Sequence, residues 1–164
     1  MYLSERNREQ ILKSLAANSL TFTALTECGA FVYLHKNHSL SKNKVISLEE
    51  LKPYHFVTFD TDDVRAFFPD DVIKNFGLDQ PITVADRATE LNLIKNLNGY
   101  TFLSGPYEDQ AREESDGFLT IPLQSLDETD SGAFTLGYIN KNGLKVEMLA
   151  NHYISAVKKI LNVK

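Results

Sequence analysis

Segments with the composition of strands alternate with segments that favour helices along nearly the whole chain, and this order constrains the fold more than any other feature. Short runs rich in β-branched and aromatic residues are separated by capped or amphipathic stretches. Such an order is typical of an α/β protein, and it predicts a mostly parallel sheet. Ligands of such sheets bind where strands end and helix N-termini offer free N–H groups.

The first part of the chain predicts two helices among three strands. Ser4 can cap a helix that runs to about Asn18. The capping-box pattern Ser47-Leu48-Glu49-Glu50 predicts a short helix, and Pro53 ends it because proline cannot continue the hydrogen-bond ladder. Alternation and β-forming composition predict strands at Thr21–Leu25, Ala30–His35 and His55–Phe59.

The middle of the chain predicts a helix with proline in its first turn, Pro69–Asn75, and a second helix after Asp86 that ends at about Asn96. Asn98-Gly99 is a good helix stop. We expect Gly105-Pro106 to turn the preceding strand into a short helix. The strands predicted here and further along are Ile82–Val84, Tyr100–Ser104, Phe118–Leu123 and Ala133–Asn140, with a polar and mobile linker at Gln124–Gly132.

The last helix has the clearest periodic pattern in the chain. Its apolar residues follow the spacing i, i+3, i+4, i+7, and its opposite face carries Asn151, Lys158 and Lys159. This pattern predicts a helix that packs against a sheet. The apolar residues are Val146, Leu149, Ala150, Tyr153, Ile154, Val157 and Ile160.

Charge and composition limit the classes of function. The 164 residues carry a formal net charge of −5, which argues against direct binding to a phosphate backbone. Cys28 is the single cysteine, so an internal disulfide is impossible. Apolar runs are too short to span a membrane, and the N-terminus lacks the apolar core of a signal peptide. We therefore expect a cytoplasmic protein without a membrane partner.

Four segments, in order, are similar to one family. The segment 31–40 resembles the strand and "HPLA" turn of the effector-binding domain of LysR-type transcriptional regulators, with Ser39 in place of proline. The segments 47–56, 84–101 and 118–123 resemble the next parts of that domain, and the final strand and helix resemble its end. The nearest subgroup is that of regulators of sulfur amino-acid metabolism.

This resemblance implies a periplasmic-binding-protein-like (type 2) α/β architecture with two lobes, of which the first is incomplete. Its implied division is a hinge strand and helix at 1–20, a second lobe at 21–117, and a return to the first lobe at 118–164. The implied function is the sensing of a small-molecule effector, such as an amino acid or sulfur metabolite, without a cofactor. DNA would be bound only through a separate winged helix-turn-helix domain that this sequence does not contain.

The candidate effector-binding residues lie at predicted strand ends and helix starts. Arg87 and Thr89 open a helix after a strand, where N–H groups, a hydroxyl and a guanidinium could meet a carboxylate. The alternative is an ordinary N-cap at Asp86 with a solvated Arg87. Ser4 is included because the resemblance places it at the first hinge. The full set is Ser4, Thr58, Phe59, Asp60, Thr61, Arg87, Thr89, Ser104 and Gly105.

Two other classes of protein remain as alternatives. A small α/β enzyme would need a nucleophile and a base that converge, and the sequence offers no such motif. A solute-binding protein of a transporter shares the architecture but requires export.

His35 and His38 lack further ligands for a metal site, and we expect Cys28 to be a buried thiol. We expect a homo-oligomer, because first-lobe segments without their usual partners would expose apolar surface.

Overall fold

The computed structural model describes residues 1–59, 64, 67–106, 112–113, 115–124, 134–143 and 148–161. Helices in these ranges are α1 (Glu5–Ala17), α2 (Leu48–Leu51), α3 (Asp70–Asn75), α4 (Arg87–Asn96) and α5 (Met148–Ile160), with a 3-10 turn at Ser115–Gly117. The strands are β1 (Tyr2–Ser4), β2 (Leu20–His35), β3 (Val57–Phe59), β4 (Ile82–Val84), β5 (Tyr100–Pro106), β6 (Arg112–Glu113), β7 (Phe118–Pro122) and β8 (Phe134–Lys141).

The chain forms two compact units. One unit contains both ends of the chain, Met1–Cys28 and Ala133–Lys164, and the other contains the continuous stretch Gly29–Gly132. The strand β2 contributes its first half to one unit and its second half to the other. The sequence-based division at residues 20 and 117 stays a prediction.

The unit that contains the chain ends is built on an antiparallel sheet. The central strand β8 pairs with β1 on one side and with the first half of β2 on the other. The N-terminal ammonium donates to the carbonyl of Gly137 at 2.9 Å, and the Gly137 amide donates to the carbonyl of Met1 at 3.0 Å. These bonds extend the β1–β8 ladder to the first residue of the chain.

One long strand, β2, replaces the two strands Thr21–Leu25 and Ala30–His35 that the sequence predicts, so this prediction was wrong. The intervening residues stay extended because β8 supplies their partners, with Glu27 opposite Thr135 and Cys28 opposite Phe134. The register shifts between Ala24 and Thr26, which accommodates an irregularity without ending the strand. These pairings join residues that are far apart in sequence, and local composition cannot reveal them.

The Gly29–Gly132 unit contains both antiparallel and parallel pairings. The second half of β2 pairs with β7 and with β5, and β7 pairs with β6. β3 and β4 are parallel, and a parallel bridge joins Phe56 to Tyr100 at the start of β5. The expectation of a mostly parallel sheet was wrong, because β2 pairs antiparallel with both β7 and β8, strands that follow it much later in the chain.

The core of this unit consists of two groups of buried side chains. The larger group includes a stack of aromatic rings in which Phe56 lies 5.6 Å from Tyr100 and 5.3 Å from Phe102, measured between ring centroids. The smaller group contains Tyr33, Val57, Val84, Ile94 and Phe118. Through Ile94 it packs α4 against the parallel strands β3 and β4.

Short-range signals predicted the helix ends well. The capping box at α2 is present: the Ser47 amide donates to the Glu50 carboxylate at 2.9 Å, and the Glu50 amide donates to the Ser47 hydroxyl. The Ser47 amide and the Ser47 hydroxyl both donate to Oε2 of Glu50, and these two bonds lower the pKa of the Glu50 carboxyl. Pro69 precedes α3 as its N-cap, one position before the first turn in which the sequence placed it.

At the end of α4, Asn98 and Gly99 have different roles: one takes the left-handed conformation and the other leaves space for the neighbouring strand. Asn98 adopts the left-handed conformation, with φ of 53°. Gly99 is needed for space, since a Cβ atom there would lie 2.9 Å from the His55 carbonyl oxygen. The close approach brings Tyr100 into position to donate its amide to that same oxygen.

The predicted end of the strand β5 was wrong, and the predicted packing of the helix α5 against a sheet is not confirmed. The strand β5 continues through Pro106, where the sequence predicts a turn into a helix, and residues 107–111 lie outside the described part of the chain. None of the side chains of α5 is buried, although its periodicity predicts packing against a sheet; Leu149 is 81% exposed. Val146 and most of the linker Gln124–Gly132 also lie outside the described residues.

The largest helices are too short or too polar for a membrane: no helix among the described residues could span a bilayer.

Gly137 offers a direct test of the β2–β8 register. A Cβ atom at this position would lie 2.6 Å from Cε2 of Phe22 and would also overlap the Thr23 carbonyl oxygen, which is backbone and cannot move aside. We expect Gly137→Ala to lower the free energy of unfolding by about 1–3 kcal/mol because of this overlap. Urea unfolding of the purified chain measures it.

Gly105→Ala is the matched control, since its Cβ atom would lie at an ordinary 3.8 Å from Cε2 of Phe31. We expect the control to change the stability by less than about 0.5 kcal/mol. Equal stability of the two variants would contradict the register of β8 against β2.

Candidate functional site

Three parallel strands in the Gly29–Gly132 unit run toward a common edge, at which β3 and β4 end while β5 continues for a few more residues. β3 lies between β4 and β5, because Ile82 donates its amide to the Phe56 carbonyl and Tyr100 donates its amide to the His55 carbonyl. The register pairs Phe59 with Val84 at the ends of β3 and β4. The Phe56–Tyr100 bridge carries this alignment to β5, so that Ser104 extends just past the level of Phe59. Carboxyl ends of parallel strands are the usual ligand positions in α/β proteins.

The helix α4 starts directly after this edge, and Asp86 caps it. The Thr89 amide donates to Oδ1 of Asp86 at 2.9 Å, and the Thr89 hydroxyl donates to Oδ2 at 2.7 Å. These two bonds, the backbone one foremost, lower the pKa of Asp86. The hydroxyl proton of Thr89 is therefore engaged within the cap, although the hydroxyl remains exposed and its oxygen can still accept a hydrogen bond.

Arg87 is held in place from two sides. Its Nη1 donates to Oε2 of Glu90 at 2.6 Å, and its guanidinium carbon lies 4.9 Å from the centroid of the Tyr33 ring. The Glu90 side chain is 2% exposed, whereas that of Arg87 is 46% exposed. A buried carboxylate requires a partner, and the guanidinium is the cation that supplies it. Arg87 is thus a fixed and partly exposed donor rather than a fully solvated side chain.

The Tyr33 ring links this ion pair to the strand β7. Tyr33 stacks on Phe118 with the ring planes 5° apart and the centroids at 5.2 Å, and Phe118 in turn meets the edge of His35. Tyr33 and Phe118 also belong to the smaller group of buried side chains. The guanidinium therefore lies against a ring that is itself packed within this buried group.

The candidate effector-binding residues that the structure describes fall into two groups. Thr58, Phe59, Ser104 and Gly105 are half-buried at or near the strand ends, and Arg87 and Thr89 are exposed on the first turn of α4. Asp60 and Thr61 lie outside the described residues. The side chain of Ser4 also lies outside the description; its backbone pairs with Phe134 in the other unit. Contact of any of these residues with an effector stays a prediction.

The sequence also raised the questions of a metal site and of a reactive thiol at Cys28. Among the described residues, no three His, Cys, Asp or Glu side chains lie close enough to hold a metal ion. Cys28 is buried as expected, and this burial raises the pKa of its thiol. A thiol in that state is a poor nucleophile at neutral pH.

Sequence reasoning missed Glu90 and Tyr33. The spacing of Arg87 and Glu90, three residues apart on a helix, indicates a possible ion pair and could have been recognised. No local pattern indicates that Glu90 is buried or that Tyr33 lies beneath the guanidinium, because Tyr33 is more than fifty positions away in the chain.

The chain is similar to known proteins in structure but not in sequence. The chain matches no protein-family model and no curated protein. It is similar to the solved structure of HinK, a LysR family transcriptional regulator from Pseudomonas aeruginosa, with a TM-score of 0.58 and 13% identity over 93% of this chain and 56% of that one. The chain thus spans little more than half of that regulator.

Two further structures extend this likeness. The effector-binding domain of QuiR in complex with shikimate matches with a TM-score of 0.55 and 13% identity, over 97% of this chain and 78% of that one. Full-length CbnR in complex with its target DNA matches with a TM-score of 0.52 and 13% identity, over 93% and 56%. The chain therefore has the mixed α/β, periplasmic-binding-protein-like type 2 fold of LysR effector-binding domains, as the sequence predicted.

The contribution of the Arg87–Glu90 ion pair to folding can be tested by measuring the stability of the chain without Arg87. Arg87→Ala would leave a buried carboxylate without its cation, and we expect the free energy of unfolding to fall by about 1–3 kcal/mol, less than for a fully buried pair because Arg87 is half exposed. Urea unfolding at neutral pH measures the change.

The double variant Arg87→Ala/Glu90→Gln removes the unpaired charge and should recover most of the lost stability. If Arg87→Ala unfolds like the original chain, the guanidinium does not compensate the Glu90 carboxylate, and the fixed position assigned to Arg87 is wrong.

Proposed function

We propose that this chain is the ligand-sensing regulatory domain of a LysR-family bacterial transcription regulator. In this proposal a small-molecule effector binds the chain and controls DNA binding by a separate winged helix-turn-helix domain. The chain works as a binding module in the cytoplasm and catalyses no reaction. The observation that supports this most is the likeness of fold over 93–97% of the chain to regulators and effector-binding domains, one of them in complex with shikimate.

The strand ends and the first turn of α4 are the surface on which the effector is proposed to bind. The half-exposed Arg87 guanidinium, fixed by Glu90 and Tyr33, suits a carboxylate because it presents N–H donors in a defined direction. Ser104 and Thr58 add hydroxyl groups at the same edge. We propose a small carboxylate as the effector class, and an amino acid or sulfur metabolite as its particular kind.

Regulation requires that the effector favour one state of the protein over another. The shift in DNA binding can be no larger than the difference between the effector's affinities for the two states. In this mechanism the carboxylate of the effector binds at the N-terminus of α4. DNA binding by the regulator changes because the effector's affinity differs between the two states. No step of bond making or breaking is involved.

A thermal-shift screen tests whether the chain binds such an effector. The compounds are amino acids, their sulfur derivatives, O-acetylserine-like metabolites and shikimate. We expect one compound to raise the Tm in a concentration-dependent way, because a ligand that binds only the folded chain stabilises it. Arg87→Lys should weaken the response, since an ammonium keeps the charge but loses the fork of donors.

The variants at Thr89 separate ligand contact from helix capping. Thr89→Ser keeps a hydroxyl oxygen that can accept from the ammonium group of an amino acid and should keep the response to amino acids, whereas Thr89→Ala should reduce that response after its lower starting Tm is subtracted. A response that is unchanged in Arg87→Lys and Thr89→Ala would place the effector elsewhere. Silence toward all compounds would count against effector binding by this chain.

We also propose that the chain forms a homo-oligomer through α5. Four apolar side chains on this helix and at its ends are largely exposed, and contiguous apolar surface of this kind is usually covered by association. The four are Met148 (76% exposed), Leu149 (81%), Tyr153 (72%) and Ile160 (79%).

Light scattering at micromolar concentration tests the assembly. We expect at least a dimeric mass for the original chain and a monomeric mass for Leu149→Glu/Tyr153→Glu, because two carboxylates would have to be buried in the contact. Asn151→Glu is the control and should keep the larger mass, because Asn151 is exposed and lies two positions from both Leu149 and Tyr153, on the other side of the helix. A monomer in the original chain would refute association through α5.

A further inference from the structure

Two histidines lie at the turn that ends the long strand β2. His35 is its last residue and is 5% exposed; His38 follows three positions later and is 3% exposed. Buried imidazoles need polar partners, and each ring nitrogen must act either as a donor or as an acceptor. Neither ring takes part in the candidate effector surface, so their burial requires a separate explanation.

Both rings accept a backbone hydrogen bond at Nδ1. The Asn37 amide donates to Nδ1 of His35 at 3.2 Å, and the Leu40 amide donates to Nδ1 of His38 at 3.0 Å. A nitrogen that accepts a hydrogen bond carries no proton, so both imidazoles are neutral in this arrangement. Protonation would place a proton on Nδ1 and would break the bond that each ring makes to the turn.

The surroundings of both rings oppose a positive charge. Burial and the cations of Lys95, on α4, and Lys36, next in the chain, lower the pKa of His35. Burial also lowers the pKa of His38, and the nearby backbone of Asn98 partly opposes this. The Tyr54 ring covers His38 at 4.4 Å between centroids. Nε2 of His38 is buried without a hydrogen bond of ordinary geometry among the described residues.

The turn connects three elements of the Gly29–Gly132 unit. The Lys36 amide donates to the Gly117 carbonyl at 2.8 Å, directly before β7. The Asn98 side chain at the end of α4 donates to the Ser39 hydroxyl at 3.2 Å. Leu40 packs against the larger group of buried side chains. A change in the turn would therefore reach the strand β7 and the C-terminus of α4.

We propose that the segment His35–Leu40 is an acid-sensitive latch, closed while both imidazoles are neutral and opened when protonation removes their two backbone hydrogen bonds. An opened latch places new positive charge beside Lys36 and Lys95 and weakens the attachment of the turn to α4. None of the residues of this segment belongs to the proposed effector-binding surface, although His35 meets the Phe118 ring on which Tyr33 stacks.

The direction of the pH dependence follows from the lowered pKa values. The folded chain favours the neutral rings, so the unfolded chain binds more protons in the range just below the ordinary histidine value of 6.5. Stability is complete above that value and is lost as the pH falls through it toward the folded pKa values. The latch is therefore closed at neutral pH and loosens in mild acid.

A 1H–15N NMR titration of the full chain between about pH 7.5 and about pH 5 tests the latch. We expect the Asn37 and Leu40 amide signals to shift with midpoints below 6.5, in step with the imidazole signals of His35 and His38. Amides that do not respond to ring protonation, or rings that titrate at or above 6.5, would overturn the proposal.

A pair of variants assigns the effect to the ring. His38→Asn keeps an acceptor near the Leu40 amide but cannot titrate, so the Leu40 transition should vanish while that of Asn37 remains. His55→Asn removes an exposed imidazole of the same unit and should leave both transitions in place. A Leu40 transition that persists in His38→Asn contradicts the latch. If that variant does not fold, the titration of the original chain decides.

Discussion

The pairing of β2 with β7 and β8 is the interaction on which the rest of the fold depends. Buried backbone N–H and C=O groups must find partners, and a strand of sixteen residues can find them only on neighbouring strands. β8 provides them for the first half of β2, and β7 for the second half. Each compact unit is thus organised around one half of a single strand. The first residue of the chain is held on the other edge of β8, through Gly137.

The start of α4 combines a structural role with part of the proposed effector-binding surface. The Asp86 carboxylate accepts from the Thr89 amide, one of the free N–H groups of the first turn, which stabilises the helix and consumes part of its capacity for anions. Arg87 is committed to the buried Glu90, yet nearly half of its side chain faces solvent. A carboxylate that approaches this turn meets a guanidinium whose direction is already set. Such preorganisation lowers the entropic cost of binding.

Signals that act over a few residues were sufficient for much of the fold. The capping box of Ser47 and Glu50, the N-cap at Asp86 and the stop at Asn98-Gly99 are found where the sequence predicts them, because each depends on hydrogen bonds within one turn. The mixed α/β class followed from the order of elements and from the resemblance. The unbroken β2 and the exposed α5 did not follow, since extended backbone at Glu27 depends on β8 and burial of a helix face depends on a partner surface.

Composition, periodicity and capping chemistry are local properties, so the mixed α/β class, the helix caps at Ser47 and Asp86 and the candidate residues at strand ends could be predicted from the amino acids alone. The strand pairings, the position of Arg87 over Tyr33 and beside the buried Glu90, and the enclosure of His35 and His38 with their Nδ1 atoms as acceptors depend on the folded chain. These contacts join residues separated by many positions, or depend on burial. Their energies arise when the chain closes on itself and water is excluded, and no window of sequence contains that information.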